Sequence, residues 1–86
     1  MYSIYILKSL KVPRTYVGYS GNPIKRLGEH NAGKVSATRD YRPWKIFYRE
    51  NGFSLKEAKS RELYWKSGTG RRNIKKIMGG FPPHFR

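Results

Sequence analysis

The sequence predicts a small α+β domain: a three-stranded antiparallel sheet flanked by helices, in the order β-β-α-β-α-α. Three observations carry this. Two runs rich in β-formers lie close together near the N-terminus and are separated by a proline-containing turn, as in a hairpin. Two later segments open with unmistakable helix N-caps. The chain is 86 residues long, room for one domain, which occupies 1–80 and is followed by a short tail, 81–86. A chain of this size buries only about 60% of its unfolded surface, so the core must be small. Tyr2, Tyr5, Trp44, Phe47 and Trp65 are its expected bulk.

Taken in order, Tyr2 to Lys8 reads as the first strand, Ser9 to Arg14 as the turn, and Thr15 to Ser20 as the partner strand. Asn22 is an N-cap and Pro23 the first residue of a helix, where its missing N–H costs nothing. Ile24, Leu27 and Asn31 would share one face of that helix, with Ile24 and Leu27 as its core stripe, and Gly33 would stop it. Lys34 to Arg42 is polar, basic and aperiodic, an exposed loop. Trp44 to Glu50 is a third strand, ended by Asn51-Gly52. Ser54 and Glu57 fit a capping box that opens a helix running to about Lys66. Gly70 to Met78 forms a short basic third helix, and Gly79-Gly80 with Pro82-Pro83 ends the ordered structure.

Charge narrows the function. Nineteen Lys and Arg face five Asp and Glu, a net charge of +14, so a polyanion is the natural partner. No segment joins a basic face to a wide apolar one, which argues for nucleic acid and against a membrane. The expected phosphate contacts are Lys34, Arg39, Arg42, Lys66, Arg71, Arg72, Lys75 and Lys76. The sequence has no cysteine, which excludes disulfides and thiolate metal sites. No apolar run is long enough to span a membrane, and Met1-Tyr2-Ser3 lacks a basic signal-peptide start. A cytoplasmic location is expected.

Basic charge alone does not call for the residues that could do chemistry. Advancing about 100° per residue, Glu62 falls between Leu55 and Ala58 on the face of its helix that should meet the sheet. Read alone, such a glutamate is more often half of a buried ion pair with an arginine. It can also hold a hard divalent ion such as Mg²⁺, which commonly takes one or two carboxylates plus water and phosphate. Arg26 and His30, four residues apart, are neighbours on one helix flank, away from Ile24 and Leu27. Alone they are an ordinary solvated flank. Together with Glu62 they offer a two-point grip on a phosphate and a group that positions water or moves a proton near neutrality. Tyr5 and Tyr16 lie on the two hairpin strands; as a base, either needs its pKa lowered by nearby cations. Gly18 permits close approach of backbone or phosphate, and Tyr19 is a supporting hydrogen-bond donor.

In spacing, Ser3-Ile4-Tyr5, Tyr16-Val17-Gly18, Arg26, His30 and Glu62 resemble the GIY-YIG nucleases. That family carries a Gly-Ile-Tyr element, a Tyr-Ile-Gly element about ten residues on, then an arginine, a histidine or tyrosine, and a metal-binding glutamate on a later helix. Ser3 replaces the glycine and Val17 the isoleucine, and neither is a reacting side chain. The match covers Tyr2 to about Ile77. Leu27 to Lys34 and Leu63 to Gly68 look most like small stand-alone bacterial proteins related to the N-terminal endonuclease domain of the ABC excinuclease. Asn73 is the candidate for an asparagine that the family carries beyond the metal-binding helix.

The resemblance implies a metal-dependent endonuclease that hydrolyses DNA by a one-metal mechanism, in repair or recombination. Tyr5, Tyr16, Arg26, His30 and Glu62 would be catalytic, with Mg²⁺ or Mn²⁺ on Glu62. Either tyrosine is the base on this reading. The rival reading is a non-catalytic basic module, binding DNA or RNA, that keeps the fold. A domain this small is also expected to act with a protein partner or as a homodimer.

Overall fold

The computed structural model describes residues 1–78. The expected Gly79-Gly80 terminator, the boundary at 80 and the 81–86 tail lie outside those residues. Three antiparallel strands form one sheet: β1 (Tyr2–Ser9), β2 (Thr15–Ser20) and β3 (Trp44–Phe53), in the order β2-β1-β3. β1 is central because both of its faces are apolar. Ile4, Tyr5, Ile6 and Leu7 are all buried, and an unbroken apolar run of this length suits a strand covered on both sides.

The period-2 alternation of β1 divides the core. Tyr5 and Leu7 join Trp44 on one face, together with Tyr16, Leu27 and Ile46; this is the face reached by α1 (Pro23–Asn31). Ile4 and Ile6 face the other way and join Val17, Trp65 and Ile74, under α2 (Leu55–Lys66) and α3 (Gly68–Ile77). Tyr48 pairs with Ile6 and Ile46 with Leu7, so Phe47 is an extra residue on β3. That bulge lets Phe47 and Tyr48 both pack against the α2–α3 side. β3 also runs past its expected end at Glu50. Phe53 pairs with Tyr2, and Gly52, at φ 90, absorbs the intervening register shift.

The caps act as their sequences dictate. Asn22 accepts from the Lys25 N–H, and Ser54 and Glu57 exchange both bonds of the capping box. Ser67 closes α2 and caps α3, accepting from the Gly70 N–H. α3 therefore begins at Gly68, two residues before its expected start. Gly70 is required at this corner, since a β-carbon there would fall on the Tyr64 carbonyl and the Trp65 backbone.

Burial departs from the helical stripe expected for α1. Ile24 is 63% exposed, whereas His30 is fully buried. The 34–42 segment is not wholly an exposed loop: it buries Thr38 and contains a 3₁₀ turn, Arg39–Tyr41. Tyr2 and Phe47 are half-buried, in contrast to Tyr5, Trp44 and Trp65.

A carboxylate that the sequence reading passed over joins α2 to the sheet. Glu50 accepts from Arg61 Nε (3.1 Å) and Nη2 (2.8 Å), from Trp65 Nε1 (3.1 Å) and from the Tyr48 hydroxyl (2.9 Å). Burial alone would raise its pKa, but the bonds from Arg61, Trp65 and Tyr48 outweigh it and hold the carboxyl below its ordinary value. Its stabilising effect is thus present above the ordinary carboxylate pKa, about 4.3, and is lost as pH falls through the lower folded-state value. Glu50→Gln should lower the free energy of unfolding at neutral pH by about 2–3 kcal/mol, short of a fully buried pair because Arg61 keeps 37% exposure. Urea denaturation checks this: the gap between wild type and mutant should narrow below about pH 4, and a gap independent of pH would refute it.

Candidate active site

The site is built on the face of the sheet that carries α1. Tyr5 pairs with Gly18 and Leu7 with Tyr16, so the two tyrosines are diagonal neighbours on adjacent strands. The Tyr5 ring lies across Gly18. A β-carbon at Gly18 would stand 2.5 Å from the Tyr5 hydroxyl oxygen and 3.2 Å from the Tyr16 ring. The close approach that glycine was expected to allow is therefore made by the first tyrosine.

Beyond Gly18, the Tyr5 hydroxyl meets His30 Nε2 at 3.0 Å. The direction of that bond follows from the far side of the ring. The Thr38 hydroxyl donates to the Val35 carbonyl (3.3 Å) and accepts from His30 Nδ1–H (2.8 Å). A neutral imidazole with its proton on Nδ1 has only an acceptor left at Nε2, so Tyr5 donates. Thr38 is itself fixed by the Trp44 indole, whose N–H donates to the Thr38 carbonyl at 2.9 Å. Burial, and secondarily the charge of Arg26, hold the His30 pKa below its ordinary value, which keeps the ring in this neutral form. No periodicity signals Thr38, because it sits in an aperiodic basic loop.

The expected lowering of a tyrosine pKa by nearby cations does not occur at Tyr5. Burial pushes its pKa up to about 12, against a smaller downward pull from Arg26. A phenol this hard to ionise, already donating to a histidine, is a fixed donor. Tyr16 differs. It is half-buried, its ring stands edge-on to His30 with centroids 5.0 Å apart, and the Lys66 ammonium lies 5.7 Å from its centroid. Among the described residues its hydroxyl makes no hydrogen bond to a side chain.

Arg26 lies near enough to the Tyr5 hydroxyl to act on its ionisation. It also pairs with Glu29 at 2.8 Å, and its side chain remains 40% exposed. The i,i+3 spacing of Arg26 and Glu29 makes that pair visible in the sequence. Glu62 is at the edge of the packed face of α2, 22% exposed, and its Lys66 partner stands at 3.4 Å. The arginine partner that a structural glutamate would need is instead on Glu50. An i,i+4 pair with an exposed lysine is weak and easily exchanged, and the same Lys66 ammonium lies over the Tyr16 ring, which sets Glu62 beside the tyrosine cluster. Among the described residues no three metal-binding side chains come together. The donors fit a hard ion that takes one carboxylate and completes its shell with water and phosphate oxygens; they do not fit a closed structural site.

Two expected members stand elsewhere. Tyr19 pairs with Ile4 on the opposite face, edge-on to Tyr2, because a strand residue three places from Tyr16 must point away from it. Asn73 donates to the Tyr64 hydroxyl on the α2–α3 side. Lys34, Arg39, Arg42, Lys66, Arg71, Arg72, Lys75 and Lys76 are all exposed.

Comparison with known proteins gives the family. The model of the GIY-YIG catalytic domain matches residues 1–76. A UPF0213 protein of Staphylococcus haemolyticus is 36% identical over 75 residues, covering 86% of this chain and 90% of that protein. Structure-specific endonuclease subunit SLX1 of Phaeosphaeria nodorum is 32% identical over 81 residues, covering 87% of this chain and 22% of that protein. A SLX1 homolog of Giardia intestinalis is 35% identical over 65 residues, covering 71% of this chain and 18% of that protein. The chain thus spans about a fifth of the length of these endonuclease subunits. A match running from β1 almost to the end of α3, on a fold that sets both tyrosine motifs side by side, means that the chain belongs to the GIY-YIG catalytic domain family.

Proposed function

We propose that this domain is a metal-dependent endonuclease that hydrolyses phosphodiester bonds in DNA. The observation that carries the reading is the convergence of a tyrosine hydroxyl without a side-chain partner among the described residues, a partly exposed arginine and a half-buried carboxylate held only by a lysine around the Tyr5–His30 pair. Charge alone would not assemble that set.

In this reading Glu62 holds one Mg²⁺ or Mn²⁺ ion, which supplies Lewis-acid stabilisation of phosphate charge when bound. Arg26 releases Glu29 and turns its guanidinium to the scissile phosphate, where it meets the charge that builds up as water adds to phosphorus. Tyr16 takes the proton from that water, with Lys66 as the counter-charge for the phenolate. The bond from phosphorus to the leaving oxygen then breaks, and that oxygen takes a proton from solvent. Tyr5 and His30 hold the wall against which Tyr16 is set, and the neutral His30 keeps Tyr5 as a donor. Relatives named as endonuclease subunits suggest that a protein partner, or a second copy, selects the DNA structure. Repair or recombination in the cytoplasm is the setting proposed.

Two experiments test this. Wild type should nick supercoiled plasmid in Mg²⁺ or Mn²⁺, and Glu62→Ala should lower that rate by at least about 10²-fold, the scale of a lost preorganised charged group. Its DNA affinity should be unchanged or slightly raised. Equal nicking by mutant and wild type would remove the metal-ligand role, and no nicking by either would favour the non-catalytic nucleic-acid-binding module.

The second separates the tyrosines. Tyr16→Phe should cut the single-turnover rate by about 10²–10⁴-fold, the range of general-base catalysis, with no loss of thermal stability. Tyr5→Phe should cost about 1–2 kcal/mol of stability, since it leaves the buried His30 acceptor unpaired, and should slow cleavage less. A reversed pattern, with Tyr16→Phe active and Tyr5→Phe dead but stable, would make Tyr5 the base.

A further inference from the structure

Away from the tyrosines, the β1–β2 turn, the end of α1 and the loop before β3 enclose a cleft of about 490 Å³. It is lined by Lys11, Asn31, Arg39, Asp40, Arg42 and Pro43, all solvent-exposed. Its walls are tied together. The Leu10 N–H donates to the Pro43 carbonyl (2.8 Å), and the Ser9 hydroxyl to the Tyr41 carbonyl (2.6 Å). Asn31 accepts from the Trp44 N–H (2.7 Å) and donates back to the Trp44 carbonyl (3.0 Å).

The three cations are held by backbone oxygens. Arg39 Nε donates to the Gly33 carbonyl (2.9 Å), Arg42 Nε to the Arg39 carbonyl (2.7 Å), and Lys11 Nζ to the Asp40 carbonyl (3.3 Å). Gly33 makes room for this. It adopts φ +80, and a β-carbon there would stand 2.6 Å from Arg42 Nη1. Among the described residues, ion pairs within 4.0 Å join only Arg26–Glu29, Arg61–Glu50 and Lys66–Glu62. The cleft cations therefore make no ion pair within 4.0 Å among the described residues, although the Asp40 carboxylate shares the wall. With each Nε occupied, the guanidinium orientations are set and the terminal N–H groups remain for an anion.

We propose that this cleft docks the phosphodiester backbone of DNA beside the scissile bond, with Lys11, Arg39 and Arg42 as the gripping groups. The proposal rests on the nucleic-acid reading of the site and extends it. An open cleft with exposed donors suits a polyanion passing over the surface better than an enclosed small anion. Its link to the catalytic cluster is short: Asn31 follows His30, Arg39 follows Thr38, and His30 and Thr38 are hydrogen-bonded at 2.8 Å. Arg39 and Arg42 were expected DNA contacts from charge alone; the fold adds Lys11 and sets all three around one cleft.

The test is duplex DNA binding by fluorescence anisotropy across a salt series, in EDTA so that cleavage plays no part. The Arg39→Gln/Arg42→Gln double variant should bind more weakly and make the log–log salt slope shallower by about 2, and Lys11→Gln by about 1. Lys56→Gln/Lys59→Gln on α2 removes the same charge as the arginine double variant from a surface given no role, and should leave the slope near that of wild type. An unchanged slope in the cleft variants, an equal loss in the α2 control, or no DNA binding by wild type would overturn the proposal. Because no turnover is measured, a wild type that binds through the cleft without ever nicking DNA would defeat the nuclease reading and leave the cleft standing.

Discussion

A neutral imidazole buried between two hydroxyls is the constraint on which the rest of the site depends. His30 accepts a hydrogen bond from the Tyr5 hydroxyl at Nε2 and donates one to the Thr38 hydroxyl from Nδ1, joining the central strand, the first helix and the following loop through one ring. None of these groups has water to fall back on, and an unmade bond at such depth costs the full desolvation of the group left behind. Protonating the ring would turn its Nε2 acceptor into a donor facing a donor. Burial and the nearby Arg26 charge both oppose that change.

Division of labour between the tyrosines follows. Tyr5 is committed to His30, and the missing β-carbon of Gly18 leaves the width through which its ring reaches across β2. Tyr16, pressed edge-on against the same imidazole, keeps its hydroxyl outside that chain of bonds, with the Lys66 ammonium over its ring. The helix that contributes Glu62 approaches from the opposite layer, fixed there by the three bonds that Arg61 and Trp65 give to Glu50. Two carboxylates thus have opposite fates. Glu50 has enough donors to be structural, whereas Glu62 has one exposed lysine and remains free to serve a ligand.

Much of the fold was legible because local chemistry and global packing agree. The hairpin, the Asn22–Pro23 start and the Ser54–Glu57 capping box need nothing beyond neighbouring residues. The faces of α1 were not legible. Periodicity assigns an isoleucine inward, but Ile24 sits at the open end of the helix, while His30 is drawn in by partners 25 and 8 residues away in sequence. Thr38 gave no signal, since a lone threonine in a basic loop looks solvated until its partners are known. Glu50 lay at the expected end of a strand, and only the bulge at Phe47 shows how Tyr48 and Glu50 come to face α2. The spacing of Tyr5, Tyr16, Arg26 and Glu62 was visible, but which tyrosine is tied up depends on a hydrogen bond to a buried histidine, which a sequence does not display.

The most direct measurement is the tautomer and titration of His30 by ¹⁵N NMR of the imidazole. The ring should carry its proton on Nδ1, be neutral at pH 7, and titrate below the ordinary histidine value of about 6.5. A ring protonated at Nε2, or one titrating at or above that value, would reverse the bond to Tyr5. Tyr5 would then be the acceptor, and the assignment of Tyr16 in preference to Tyr5 as the base would lose its basis.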